Sequence, residues 1–191
     1  MASIVISGDT SGSVTLSAPA VAGSTTQTLV NVTGTLAPLV SGTAVASTSG
    51  TSIDFTGIPS WVKRITVMFN GISLSGTASA LIQIGSGSVT TTGYLGSATV
   101  QYNTAVEIIG STSGFLCPLG ASVRVIHGAL ILTLISGNTW VSSGSFGFSN
   151  AAASASSGGT GVISGALDRV RITTTNGTDT FDLGSINILY E

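Results

Sequence analysis

From Trp61 to Asn70 the chain reads WVKRITVMFN, with Trp61, Ile65, Val67 and Phe69 on one side and Arg64, Thr66 and Asn70 on the other. Successive side chains of an extended backbone point to opposite faces, so this run predicts a strand with one face to bury and one to leave polar. A turn at Gly57-Ile58-Pro59-Ser60 precedes it, and the stretch from Ile53 to Leu74 around it is the pattern on which the rest of the chain is organised.

The alternation recurs downstream. Ala80, Ile82 and Ile84 face away from Leu81 and Gln83, and Gly85 to Gly87 ends that strand. Thr91 to Gly120 carries Tyr94, Tyr102, Ile108, Ile109, Phe115, Cys117 and Pro118 among turn residues, which predicts short strands or loops. The run RVIHGALILTLI, ending at Ile135, is apolar on both faces: Ile126, Leu130, Leu132 and Leu134 on one, Val125, Ala129, Ile131 and Ile135 on the other. Its β-branched residues favour a strand over a helix, and a strand apolar on both sides is covered on both, here by a second sheet and by a loop or a neighbouring subunit. Ser136-Gly137-Asn138 predicts a hairpin into Thr139-Trp140-Val141. The Ala/Ser/Gly run that follows Asn150 predicts an exposed loop, with any disorder confined to residues 151–161. The last segment predicts a second hairpin, in which Val170 and Ile172 alternate with Arg169, Arg171 and Thr173, Asn176-Gly177 makes a type I′ turn, and Phe181 leads to Ile186, Ile188 and Tyr190.

Ahead of these strands, Ile4 and Ile6, the turn from Gly8 to Gly12, and Val14 and Leu16 form short extended pieces; Pro19 stops them, and Leu29, Val30 and Val32 start another. Pieces this short bury no core of their own, so residues 1–40 read as an attachment arm that packs on something else. Residues 41–51 read as a linker or an edge segment, and 52–191 as the main domain. With no helical pattern and antiparallel turn spacing, the fold class is all-β: an antiparallel β-sandwich, jelly-roll-like, with an extended N-terminal arm.

Charge then limits how such a chain can live. Charged residues are 6% of the total, against about 25% in ordinary soluble domains, and a chain so poor in them needs copies of itself to cover much of its surface. The contact between copies is expected on the two-sided strand, at Leu130, Ile131, Leu132 and Leu134. Hydrophobic content of 42% and positive mean hydropathy argue against general disorder. A net charge of -2 with five dispersed basic residues excludes a nucleic-acid footprint, which needs clustered cations. The single Cys117 makes no intrachain disulfide, the N-terminus has no basic region ahead of an apolar run, and no apolar stretch is long enough for membrane insertion. Asn31-Val32-Thr33 and Asn176-Gly177-Thr178 fit the glycosylation triplet but read as turn and strand residues.

Catalytic chemistry has little to work with. His127, the sole histidine, could serve as a base for Cys117, but no third group is placed to orient it, and both read as packing residues. Asp179 and Asp182 could be paired carboxylates or part of a calcium site; three residues apart on an extended chain they face opposite ways, and hydrogen bonds closing the turn with pairs to Arg169 or Arg171 fit better. Trp61 and Trp140 read as core or interface, whereas Tyr94 and Tyr102, in a less regular segment, are candidates for contact with a receptor glycan. The sequence holds no metal-ligand cluster, phosphate-binding glycine loop or nucleophile elbow, so no cofactor and no enzymatic activity are expected.

Two stretches carry a resemblance. SIVISGDTSGSVTLSAPAVAGSTTQTLV resembles the short N-terminal segment of tail-fibre-type and head-fibre-type proteins of tailed bacteriophages. Ser52 to Leu74, Thr91 to Leu95 and the closing DRVRITTTNGTDTFDLGSINILYE resemble a C-terminal domain that recurs in such proteins. The resemblance implies a structural protein at the virion surface, usually trimeric, synthesised in the bacterial cytoplasm, and it brings no catalytic residues. A projecting tail fibre has a shaft, and this chain has no repeats, heptads or collagen-like triplets to build one. The expectation is therefore a capsid decoration or head-fibre protein whose arm grips a partner such as the major capsid protein. The alternative is a tail-fibre tip that recognises a glycan or protein on the host surface.

Overall fold

The computed structural model describes residues 3–7, 13–17, 37–119 and 124–191. The chain divides into two units, residues 1–36 and 37–191. In the first, β1 (Ser3–Ser7) pairs antiparallel with β2 (Ser13–Ser17), placing Ile4 opposite Leu16 and Ile6 opposite Val14. Val5 and Ile6 are exposed. The strand expected at Leu29 to Val32, and the turn at Gly8 to Gly12, lie outside the described residues.

The second unit is all β, with no helix among the described residues. Its strands are β3 (Val40–Ser41), β4 (Val45–Ala46), β5 (Ile53–Thr56), β6 (Arg64–Leu74), β7 (Ala80–Ser86), β8 (Ser88–Val89), β9 (Tyr94–Tyr102), β10 (Val106–Ser111), β11 (Phe115–Cys117), β12 (Ile126–Ser136), β13 (Thr139–Phe148), β14 (Ala153–Val162), β15 (Arg169–Thr174) and β16 (Phe181–Tyr190). A nine-stranded antiparallel sheet runs β10-β9-β14-β13-β12-β6-β16-β3, with β4 also on β16; a five-stranded sheet runs β11-β7-β15-β5, with β8 on β7.

Period-two burial explains how the sheets meet. Ile65, Val67 and Phe69 of β6, Leu130 and Leu132 of β12 and Trp140 of β13 share one apolar core with Ile82 and Ile84 of β7 and Val170 and Ile172 of β15. Two sheets burying their inner faces in a common core is the arrangement of a β-sandwich. The strand expected from Arg64 to Asn70 is β6, paired on one edge with β12 and on the other with β16. Trp61 does not share its face: the strand starts at Arg64, and Trp61 sits in the preceding turn, 39% exposed, its ring 6.0 Å from that of Tyr190.

Several expectations change here. The final segment is no hairpin, because β15 pairs with β5 and β7 in the small sheet whereas β16 pairs with β6 in the large one. The turn between them crosses the core edge, closed by Gly177 N–H donating to Thr174 O at 3.2 Å. Only Gly177 has positive φ there, so the turn is not type I′, which needs two such residues. The hairpin at Ser136 forms as expected: Ser136 pairs with Thr139 across Gly137-Asn138, with Gly137 at φ 55.

The Ser/Gly run after Asn150, expected as a loop, is β14, lodged between β13 and β9. Its glycines are used for packing: a Cβ on Gly161 would come within 2.7 Å of the Tyr94 ring, and one on Gly159 would reach Phe115 at 3.4 Å. Residues 41–51, read as a linker or an edge segment, are the second of these: β3 and β4 lie on the edge of the large sheet against β16. Ser47, fully buried, donates its N–H to Gly184 O at 2.9 Å and its Oγ–H to Leu183 O at 2.8 Å.

Candidate functional site

Tyr94 opens β9 with its side chain inward, opposite Gly161. Its hydroxyl accepts the Ile84 N–H at 2.9 Å and has Ile84 O at 3.2 Å and Thr90 O at 3.0 Å to donate to, while the ring meets Phe115 edge-on at 5.0 Å. The side chain is 1% exposed, so the expected receptor contact at Tyr94 is corrected: this tyrosine ties β9 to the end of β7 inside the core. Burial, partly offset by the Ile84 hydrogen bond, pushes its hydroxyl up to about 12. An unfolded tyrosine ionises near pH 10, so this group's contribution is intact below about pH 10 and is lost as pH rises through the folded value. Tyr94→Phe is expected to cost about 1–3 kcal/mol at neutral pH, because the Ile84 N–H loses its acceptor, and to remove this part of the alkaline decline. Denaturant titrations of both proteins at neutral pH and across the alkaline range check both effects.

Tyr102, at the far end of β9, is half-buried beside Arg124, whose guanidinium lies 4.5 Å from its ring centre and 5.8 Å from that of Phe148. Arg124 also donates to Leu119 O at 2.9 Å and to the Tyr102 hydroxyl, which bonds Glu107 at 3.1 Å. One face of Tyr102 is therefore engaged by a cation, and the pair of aromatic candidates does not come together as a site.

The chemically reactive candidates are also separated. Cys117 is fully buried in the small sheet, and burial raises its thiol, which disfavours the nucleophilic thiolate. His127 lies half-buried in the large sheet, over Gly71. Asp179 accepts the Ala78 N–H at 2.9 Å, and a bond with the Asn176 side chain, together with this one, holds its carboxyl below the usual range; Asp182 bonds the Ser73 hydroxyl. The expected pairs from these aspartates to the arginines of β15 do not form. Register places Arg171 opposite Asp54, which it grips through two hydrogen bonds of 2.7 and 2.8 Å, and Arg169 takes Asp168 at 2.7 Å. Among the described residues no group of three or more His, Cys, Asp or Glu gathers to hold a metal ion, and no helix is long and apolar enough to cross a membrane.

The two-sided run at β12 resolves into an inner and an outer half. Leu130 and Leu132 are fully buried between the sheets and Leu134 packs against the same core, so the expected subunit contact at these three is corrected: they hold the chain's own sheets together. Ile131, 40% exposed, is the member of the four that faces out.

Around Ile131 the outward positions of β12, β13, β14, β9 and β10 carry no Asp, Glu, Lys or Arg. Ser, Thr, Gly, Ala and Gln fill them together with Leu95, Val106, Ile108, Ile135, Val141 and Val162, and His127 stands at the end of β12. Of the ten large apolar side chains exposed in residues 37–191, six lie here: Leu95, Val106, Ile108, Ile131, Ile135 and Val162. The outward face of the small sheet is the opposite kind of surface, carrying the Asp54–Arg171 and Asp168–Arg169 pairs. Periodicity marks Ile131 as facing away from Leu130 and Leu132; the uncharged sheet around it assembles from five strands and is visible only once their order is known. Comparison with protein-family models, with curated proteins and with solved structures found no match to this chain.

Proposed function

We propose that this chain is a structural component of a bacteriophage virion: a trimeric capsid-decoration or head-fibre protein, jelly-roll-like in topology, held to the particle by its N-terminal arm. The observation that carries the reading is the division of charge between its surfaces, one sheet face ionic and the other without Asp, Glu, Lys or Arg across five strands. Such a molecule suits a place where one side meets solvent and the other meets protein. Support also comes from the resemblance of the first and last stretches to phage fibre-type proteins, and from β1 and β2, a two-stranded antiparallel pair that is marginal in water without something to pack on. The partners in this reading are further copies of the chain and a virion protein such as the major capsid protein. Its place is the virion surface, after synthesis in the bacterial cytoplasm. Nucleic acid, membrane insertion, cofactor and catalysis have no part in it.

A tail-fibre tip that binds a host glycan or surface protein is the competing reading. It draws on Tyr94 and Tyr102, and Tyr94 is inside the core.

Antibody labelling of intact virions tests the proposal, with label expected on the head; label confined to the tail, or none, overturns it. Ile6→Asp, at an exposed position of β1, is expected to lower incorporation into particles at least tenfold, read by quantitative blotting of purified virions, while the far-ultraviolet circular dichroism of the free protein stays unchanged.

A further inference from the structure

We propose that the outward face of β12, β13, β14, β9 and β10 is a self-association surface, occupied by the same face of other copies of this chain. The inference deepens the assembly part of the reading above and does not rest on the virion part.

Three observations point to this occupant. The first is charge. The outward positions of these strands hold no Asp, Glu, Lys or Arg, although the unit keeps ionic groups on the small sheet's outer face and beside this face, where Arg64 of β6, opposite Thr133, pairs with Glu191 and Arg124 lies beside Tyr102 and Glu107. A charged partner docking here would lose hydration and find no counter-charge, a net loss. The occupant must itself be uncharged over a comparable area, and in this molecule the surface of that kind is this face.

The second observation is size. Five strands about 4.8 Å apart and up to ten residues long at about 3.3 Å per residue make a face of roughly 700 Å² before side-chain relief is counted. A stable interface of ordinary size buries about 800 Å² per partner, so the whole face supplies about one such share per copy.

The third is texture. Ser143 pairs with Gly158, and Gly158 with Ser97, so the middle of the face is low, with Ile131, Leu95 and Ile108 standing at its sides. Small residues let two sheets approach closely while the aliphatic side chains interdigitate. In a trimer each copy gives the β12 side of the face to one neighbour and the β10 side to the next, so the area of the one face is shared between two contacts and closes the ring.

Sedimentation of the full-length chain decides it. The wild type is expected to sediment as a multiple of the chain mass at micromolar concentration. Ile131→Lys combined with Ser143→Lys, both at exposed positions, is expected to yield single chains with unchanged circular dichroism, whereas Thr56→Lys on the opposite sheet leaves the assembly intact. If the double variant fails to fold, Ser143→Lys alone is measured, with at least a tenfold weaker association expected. Wild-type protein that remains single-chain at tens of micromolar overturns the proposal, and so does a folded double variant that stays assembled. The labelling of virions reads the location of the protein and sedimentation reads the face, so either can fail without the other.

Discussion

Gly184→Val is expected to leave no folded 37–191 unit. Gly184 lies in β16 at a register shift between Leu183 and Ser185, with φ 91. Any L-residue is strained at that angle, by about 1–2 kcal/mol. Steric contact costs more than this strain: a Cβ there would sit 2.3 Å from Gly71 O and 2.5 Å from Asn70 O, both backbone atoms of β6. Neither can move aside as a side chain could, so β16 must lift from β6 and release Ile186 and Ile188 from the core. Against a total stability of about 5–15 kcal/mol for a domain, losing a central strand pairing is decisive. The expected readout is insoluble protein, or a soluble chain without a cooperative denaturant transition. Gly177→Ala supplies the contrast. Its φ is 69, yet nothing lies within 4 Å of the added Cβ, so it is expected to fold and lose only about 1 kcal/mol.

Leu132→Asp is expected to unfold the chain, with a loss of about 5 kcal/mol or more. Leu132 is fully buried between the sheets, so the substitution removes a core side chain and places a carboxylate among the aliphatic and aromatic residues of the core cluster, which offer it neither donor nor cation. Near-ultraviolet circular dichroism and a denaturant titration report the loss. Ile131, one residue away, faces the other side of the same strand, and there a charge is expected to leave the fold intact. The neighbouring pair separates folding from assembly: a charge at Leu132 destroys both, whereas one at Ile131 acts on assembly alone.

Much of the strand content is legible in the chain. The alternation around Ile65 to Asn70, at Ala80 to Ile84, and at Val170 to Ile172 corresponds to β6, β7 and β15, and the Gly137-Asn138 hairpin connects the two strands expected on either side of it. β14 is not legible, because its inward Gly159 and Gly161 leave no hydrophobic period; the apolar volume on that side comes from Tyr94 and Phe115 of other strands. Tyr94 escapes sequence reading for the same kind of reason. A tyrosine in an irregular stretch looks free until the backbone groups of Ile84 are placed at its hydroxyl.

Periodicity decided the all-β character of the described residues, since the direction of successive side chains is a property of the extended backbone and needs no partner. Sheet membership was left to the tertiary structure. An apolar strand face is equally well buried from either side of a core, so nothing local told β15 to join β7 and β5 while β16 joined β6 across the Asn176-Gly177 turn. The uncharged outer face has the same origin: each strand contributes only a few neutral residues, and their meaning appears when the order β10-β9-β14-β13-β12 lays them side by side.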